Sequence, residues 1–200
     1  MLETPGARIE VVPTIHELRA AGNSFADRSG LLFIGSFAHR PNVDAMRFFL
    51  REVYPLLQST LPRVRLDIIG GNPPPELAEY TSDEVRIRGH VPDVEPYLRN
   101  ARVFIAPLRF GAGSKGKVGE AMAHGIPVVT TSIGAEGFGI THGLNVMIGD
   151  DPQSFAKAIN ELYAQEELWQ RVAHNGRLRI EKHFTPQVIA GTIQSSIQDP

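Results

Sequence analysis

Residues 103–129, VFIAPLRFGAGSKGKVGEAMAHGIPVV, join an apolar strand to a helix through the glycine turn, residues 109–116. The apolar run at the start predicts a buried strand, and the helix is predicted to end at Gly125. Glycines let a ligand approach the backbone closely, and N–H groups at a helix start bind anions. Lys115 and Lys117 add two ammonium groups. The stretch therefore predicts an anion site, and a phosphate is the expected anion.

Two general nucleotide-binding motifs nearly fit this turn. Residues 111–116, GAGSKG, match the dinucleotide pattern GxGxxG, with Glu136 about twenty residues further on. That motif belongs to the first strand–helix unit of its sheet, whereas several strand-like runs precede it here. With Lys117 the turn also matches the start of a P-loop, but Val118 replaces the Ser or Thr that would hold Mg²⁺. Both motifs are disfavoured, and a turn that only packs a helix against a strand is a further alternative.

The helix after the turn carries a candidate ribose ligand. Lys117, Glu120 and His124 are spaced so that they share one face of this helix. Ionised Glu120 can accept two hydrogen bonds from a ribose diol while phosphates lie at the helix start. The spacing also fits an i,i+3 ion pair between Lys117 and Glu120. Spacing alone leaves these two interpretations open.

Composition excludes several classes of protein. The chain has 200 residues, which suits one domain with a substantial core. A net charge of −2 argues against a nucleic-acid binder, and the lack of cysteine excludes disulfides and thiolate metal sites. The histidines show no HxH or HExxH spacing, so no metal site is expected. No apolar run reaches the length of a membrane span, and the N-terminus lacks a signal-peptide pattern.

Strand-like and helix-like segments alternate along the chain. Strands are predicted at 31–35, 64–70, 85–89, 103–106, 128–131 and 145–148. Besides the helix after the glycine turn, helices are predicted at 41–57, 73–80, 94–100, 152–164, 166–183 and 186–197. The alternation predicts an α/β fold, a Rossmann-like doubly wound parallel sheet of about six strands with a helical C-terminal tail. Ligands bind such sheets beyond the carboxyl ends of the strands, so the turns there are expected to line one crevice.

Longer stretches resemble the donor-binding half of a known enzyme family. LLFIGSFAHRPNVDA at 31–45, LDIIGG at 66–71, VRIRGHVPDVEPYL at 85–98 and the stretch around the glycine turn occur in the family's order. They resemble the C-terminal domain of glycosyltransferase family 4, the group 1 glycosyl transferases. The resemblance covers about residues 9–184. It implies one half of a GT-B fold and a retaining transferase that uses a nucleotide diphosphate sugar.

The resemblance implies a set of donor-binding residues. Glu120 would bind the donor ribose, and the amides of residues 113–117 would take the sugar hydroxyls and the diphosphate. Independently of the resemblance, Lys117 and Arg40 are the candidate catalytic residues, acting on the leaving diphosphate. The full candidate set for the nucleotide sugar is Gly35, Ser36, Gly89, His90, Val91, Arg109, Gly111, Gly113, Ser114, Lys115, Gly116, Lys117, Val118 and Glu120. The backbone of 89–91 would face the base, which stays open among UDP-, GDP- and ADP-linked donors. No cofactor or metal is expected to be required.

The chain departs from the family pattern at the usual diphosphate and sugar ligands. Ala112 stands where the family usually has a glutamate, eight positions before the ribose glutamate. Ser36 stands where the family has an arginine, and the companion lysine falls near Pro41 or Asn42. The candidate replacements for these cations are Arg40, Lys115 and Lys117.

The resemblance also divides the chain. Residues 1–30 are expected to form a lead-in strand and linker, 31–184 the nucleotide-sugar-binding domain, and 185–200 a helix that crosses to an N-terminal acceptor domain. That domain is not in this sequence, so the chain alone is expected to be inactive in transfer. The apolar stripe of the last helix makes a dimer through that helix an alternative.

The expected location is cytoplasmic, with membrane-peripheral attachment of the full-length enzyme as an alternative. Neither a nucleic-acid partner nor a membrane span is expected. Two other functions stay open. One is a GT-B domain like that of a sugar-nucleotide epimerase, and the other is a non-catalytic Rossmann-like binding or signalling domain.

Overall fold

The structure, a computed structural model, describes residues 12–20, 22–112 and 115–198. Its sheet has the strand order β3-β2-β1-β4-β5-β6, and every neighbouring pair is parallel. The strands are β1 (Leu31–Ile34), β2 (Leu66–Ile69), β3 (Val85–Gly89), β4 (Val103–Ala106), β5 (Val128–Thr130) and β6 (Met147–Ile148). The predicted doubly wound α/β fold is confirmed, because the chain winds outward from β1 in both directions.

Helices cover both faces of the sheet. They are α1 (Arg40–Phe48), α2 (Tyr54–Thr60), α3 (Glu95–Asn100), α4 (Gly116–Ala123), α5 (Pro152–Ala164), α6 (Glu166–His183) and α7 (Pro186–Gln198), with a 3₁₀ helix at Pro75–Tyr80. The core on one face includes Phe49, Leu57 and Phe155, and the core on the other includes Met122 and Phe138. All residues of β1 and β4 are buried, as continuous apolar runs in central parallel strands should be.

The helix predicted at 41–57 contains a wide turn. Between α1 and α2 the chain forms a π-helical segment, Phe49–Val53, in which the Tyr54 N–H donates to the Phe49 carbonyl. Pro55 explains the change, because a proline ring clashes with the carbonyl four residues earlier in a regular α-helix. The wider turn moves the carbonyl four residues before Pro55 away from the proline ring, and the helix continues to Thr60.

The edge strand β6 is shorter than predicted. The Asn145 side chain accepts a hydrogen bond from the Thr141 N–H, and Val146 forms an isolated bridge with His142. These contacts hold the first half of the predicted strand in a turn. The parallel pairing with β5 therefore begins only at Met147.

The lead-in segment is packed on the domain and contains no strand in its described part, residues 12–20 and 22–30. The His16 N–H donates to the Phe184 carbonyl, and the Ser29 N–H donates to the Asn100 carbonyl. Arg28, expected in a polar linker, is only 1% exposed. These residues do not join the sheet, because their backbone groups bond to helix ends, and the expected lead-in strand stays a prediction for the residues outside the described part.

The start of α7 packs on its own domain. Ile189 is buried, whereas Ile193, one turn later, is 40% exposed. The predicted apolar stripe is therefore covered at its first turn and open further along. The side chain of Ile197, the last residue of that stripe, lies outside the described residues.

Candidate functional site

A cavity of about 450 Å³ lies between the carboxyl ends of β1 and β4. These two strands are neighbours in the sheet, but the chain leaves β1 toward the α1 face and β4 toward the α4 face. The loops therefore diverge and leave a crevice, which is the usual ligand position in an open α/β sheet. We call it the crevice cavity.

The crevice cavity has an apolar floor and a polar rim. The floor includes Ile34, Phe104 and Leu108, and the rim includes His39, Asn42, Lys115 and Lys117. Phe110, at the mouth, is 46% exposed. Such a mixture suits a ligand with one apolar or stacking surface and several polar groups.

The first turn of α4 borders the cavity through Gly116, Lys117 and Val118. Within the described residues, no side chain caps the N-terminus of this helix. Its N–H groups and the positive end of the helix dipole are thus directed at the crevice, which favours an anion there. This placement agrees with the anion site predicted from the glycine turn.

The two lysines of the glycine turn have different surroundings. Lys115 Nζ donates to the Gly111 carbonyl at 3.0 Å and lies 3.8 Å from a Glu136 carboxylate oxygen. Its side chain is only 9% exposed. Lys117 is more open and forms a 2.6 Å ion pair with Glu120. Both line the cavity, so both are within the predicted site.

Glu120 faces a second groove of about 620 Å³, which we call the strap groove. One wall is α4, with Lys117, Glu120 and His124, so the prediction that these residues share a face is confirmed. The opposite wall is the strap, residues 12–20 of the lead-in segment, including His16. Glu120 forms the i,i+3 ion pair with Lys117 that the sequence left as one of two interpretations.

Arg109 and Arg40 lie outside the walls of both cavities in the described part of the chain. Arg109 donates from Nε and Nη2 to the two carboxylate oxygens of Asp44, at 2.8 and 2.5 Å, and its guanidinium lies over the Phe48 ring. The hydrogen bond to Asp44 raises the pKa of Arg109. Arg40 is exposed at the first residue of α1.

Other predicted residues lie at the same edge of the sheet but outside the crevice cavity. Gly35 contacts Asn42, whose amide would collide with any side chain at that position. The Ser36 hydroxyl accepts a hydrogen bond from the Ala38 N–H. Gly89, with φ of +66°, precedes exposed His90, while Val91 packs on the core of the α4 face. Gly113 and Ser114 lie outside the described residues.

Sequence reasoning missed two contributors to the site. His39, at the end of the loop after β1, lines the crevice cavity, and the strap contributes Thr14 and His16 to the strap groove. Burial lowers the pKa of His16, an effect that Glu120 opposes and Lys117 reinforces. The loop position of His39 was a usable signal, whereas nothing in the strap sequence identified its docking position.

Two negative findings concern the described residues. Among them, no group of three His, Asp or Glu side chains is arranged to hold a metal ion. No helix in that part of the chain is long and apolar enough to cross a bilayer.

Comparison with known proteins identifies a family. The family model for glycosyl transferases group 1 matches residues 28–165. An uncharacterized 44.6 kDa protein from the cps region of Klebsiella pneumoniae is 28% identical over 174 residues, which are 82% of this chain and 44% of that protein. The capsular polysaccharide biosynthesis glycosyltransferase CapM of Staphylococcus aureus is 32% identical over 109 residues, which are 53% of this chain and 28% of CapM. The chain thus spans less than half the length of both relatives.

Solved structures share the fold. The C-terminal domain of LpcC, a glycosyl transferase group 1 family protein of Francisella tularensis, has a TM-score of 0.69 at 16% identity, covering 85% of this chain and 97% of that domain. A TarM variant of S. aureus, solved with UDP among its ligands, has a TM-score of 0.76 at 18% identity, covering 94% of this chain and 39% of TarM. Anabaena HepE, solved with UDP and glucose, has a TM-score of 0.67 at 15% identity, covering 88% of this chain and 50% of HepE.

Proposed function

Because the chain belongs to the group 1 glycosyl transferases, we propose that it is the donor-binding domain of a retaining glycosyltransferase. Its ligand would be a nucleotide diphosphate sugar. The observation that carries the proposal is the position of the crevice cavity, which lies against the first turn of α4, with Lys117 in its wall and Glu120 in the adjoining strap groove. The UDP in the TarM and HepE structures supports this class of ligand.

The diphosphate would lie at the start of α4. The helix dipole and the backbone N–H groups there favour negative charge, and Lys115 and Lys117 stand on the same side of the cavity. During transfer, the bond between the sugar C1 and the diphosphate oxygen breaks, and its electrons stay on the diphosphate. The acceptor oxygen bonds to C1, and its proton passes to the departing diphosphate oxygen. Lysines and helix N–H groups stabilise the departing charge without a metal ion.

The ribose would bind Glu120. This carboxylate is paired with Lys117, and its side chain is 29% exposed. Binding would exchange partners, since the ribose diol donates to Glu120 while Lys117 moves to the diphosphate. Each charged group thus gains a ligand partner in place of the ion pair, and neither is left unpaired.

Arg40 and Lys117 are proposed to act on the leaving diphosphate. Arg40 starts α1 directly after His39, which lines the crevice cavity. Arg109 has a different setting, because its Nε and Nη2 groups already donate to the Asp44 carboxylate. The loop 89–91 is proposed to face the nucleotide base from the end of β3.

A second candidate function is a donor-binding domain that has lost catalysis. Ala112 supports it, because a methyl group replaces the carboxylate that the family usually presents to the transferred sugar. Binding of the nucleotide diphosphate would persist, while transfer by a complete enzyme with the same residue would be absent.

Titration of the chain with UDP, GDP, ADP and inorganic pyrophosphate tests the proposal. At least one nucleoside diphosphate should bind, with a Kd unchanged by EDTA. In Glu120→Gln, nucleotide affinity should fall by about ten- to hundredfold, because charge-assisted hydrogen bonds to the ribose are lost. Pyrophosphate affinity should hold or rise, since Lys117 is released from its pair.

The matched control is Glu161→Gln, which removes the carboxylate of another helical Lys–Glu pair, with Lys157 on α5. It should leave both affinities unchanged. Equal losses of affinity for pyrophosphate and for the nucleotide in Glu120→Gln would contradict the proposal that Glu120 binds the ribose. Failure of all three nucleotides to bind would overturn the proposed function.

A further inference from the structure

We propose that Asp44 is a positioning residue for the crevice cavity, acting through Arg109 to hold the glycine turn against α1. The inference rests on the proposed function, because it concerns the same anion site. Asp44 lies in the first half of α1, on the β1 side of the crevice, and Arg109 lies just after β4, on the other side. Their contact therefore ties together the two walls that diverge at this point of the sheet.

The contact has the geometry of a specific clamp. Both carboxylate oxygens of Asp44 accept from Arg109, at 2.8 and 2.5 Å, and the guanidinium lies 4.9 Å from the centre of the Phe48 ring. A bidentate pair stacked on a ring fixes the plane of the guanidinium as well as its position. Phe48 is itself buried, so the clamp has a rigid base.

A second contact from α1 lies two residues further along the turn. Gly111 has a φ of +124°, and a β-carbon there would lie 3.2 Å from Cγ of Pro41. Pro41 is in the first turn of α1, one helical turn before Asp44. The same helix thus bonds to Arg109 and leaves little room for a side chain at Gly111, so residues 109–111 lie close against α1.

The clamped backbone carries a cation of the site. The Gly111 carbonyl accepts the 3.0 Å hydrogen bond from Lys115 Nζ, which lines the crevice cavity. The chain of contacts runs from Asp44 to Arg109, along the backbone to Gly111, and from there to the Lys115 ammonium group. Loss of the clamp would not remove Lys115, but its ammonium group should be less well positioned toward the anion.

The rival interpretation makes Arg109 a direct diphosphate ligand that Asp44 merely neutralises. The two interpretations predict opposite results for Asp44→Asn. A clamp predicts weaker binding, because the turn is loosened. A neutralising partner predicts tighter binding, because the Arg109 charge is released toward the anion.

The test uses the whole chain, with the tightest of UDP, GDP and ADP and with inorganic pyrophosphate as probes. Asp44→Asn and Arg109→Gln should each lower the affinity for both probes by roughly three- to tenfold. The double variant should bind no more weakly than either single variant, since the two residues act as one unit. Asp44→Glu should restore most of the affinity.

Hydrogen exchange of the amides at 109–112 reports on the turn directly and needs no ligand. It should accelerate in Asp44→Asn and stay unchanged in the control Glu76→Gln. That control removes the carboxylate of another ion pair from α1, with Arg47. Tighter or unchanged binding together with unchanged exchange in Asp44→Asn would overturn the clamp. If the wild-type chain binds none of the nucleotides, the proposed function fails, while the exchange result still decides the clamp.

Discussion

The imidazole of His16 lies directly on the backbone of α4 at Gly119. A β-carbon at this position would be 2.6 Å from Cε1 of His16 and closer still to Nε2. His16 is buried, and its Nε2 has no hydrogen-bond partner among the described residues. The strap can therefore dock on α4 only because residue 119 has no side chain.

Gly119→Ala should detach the strap. Alanine in a helix interior normally stabilises by about 0.5–1 kcal/mol relative to glycine. Here the overlap with His16 should reverse the sign and cost about 1–3 kcal/mol. Chemical denaturation and hydrogen exchange at 12–20 measure the two effects. The control is Gly191→Ala on α7, where a β-carbon meets nothing within 4 Å. A stabilised Gly119→Ala variant with an unchanged strap would contradict the prediction.

The same histidine should make stability depend on pH. Burial lowers the pKa of His16 below its ordinary 6.5, so the unfolded chain binds the proton more tightly. Its contribution is fully present above pH 6.5 and is lost as the pH falls toward the folded-state pKa. Between about pH 8 and 5, wild type should lose more unfolding free energy than His16→Gln. Burial and neighbouring cations also lower the pKa of His183, but both proteins keep that residue. Parallel pH profiles would exclude the His16 contribution.

Arg28 should be a major source of stability in the lead-in segment. Its guanidinium donates to the carbonyls of Asn23, Leu98, Ala101 and His124, and burial lowers its pKa to about 10. Arg28→Met would remove the guanidinium donors from these carbonyls and should cost about 3 kcal/mol or more in unfolding free energy. The same substitution at the exposed residue Arg171 of α6, Arg171→Met, should change the unfolding free energy by less than about 0.5 kcal/mol. Similar values for both variants would show that the buried network contributes little.

Lys117 should contribute to anion binding through its charge. Lys117→Met should weaken pyrophosphate and nucleoside diphosphates alike and reduce the dependence of Kd on salt concentration. Lys157→Met serves as the control, because it removes a lysine from a Glu-paired position on α5. Titrations at low and high salt make the comparison. A salt dependence that survives Lys117→Met unchanged would move the anion contact elsewhere.

The isolated chain should not transfer sugar to an acceptor. Transfer needs one wall that holds the donor and another that positions the acceptor and excludes water. The described part of this chain supplies one Rossmann-like sheet. Incubation with a nucleotide sugar and candidate acceptors should give no multiple-turnover product, although slow hydrolysis of the donor is compatible. Repeated transfer by the chain alone would refute the two-wall argument.

Local patterns sufficed for the central part of the fold. The bounds of β4 and of α5 were predicted to the residue, because an apolar run that stops at Pro107 and an Asp151–Pro152 start are strong local signals. The shared face of Lys117 and Glu120 likewise follows from helix geometry alone. For such features the deciding contacts lie within a few residues.

Contacts between residues far apart in the chain could not be predicted from the sequence. Arg109 was interpreted as a nucleotide ligand, yet Asp44, its partner, lies 65 residues earlier in the chain. Arg28 was placed in a polar linker, yet three of its carbonyl partners lie 70 or more residues away. A single sequence does not indicate which charge a loop arginine meets, or which helix ends a lead-in segment reaches.

The π-helical turn at Phe49–Val53 sets how far α1 is rotated about the helix axis relative to α2. Each residue of an α-helix turns the chain by about 100° and advances it by about 1.5 Å. Deleting one residue within the wide turn would convert it to an α-helical turn and rotate α1 relative to α2 by that angle. Leu57 would stay in the core, while Pro41 and Asp44 would swing away from the glycine turn. One residue in the wide turn therefore sets the orientation of the crevice wall, and its loss would also move Met46 and Phe48, which are buried on α1, out of their places in the core.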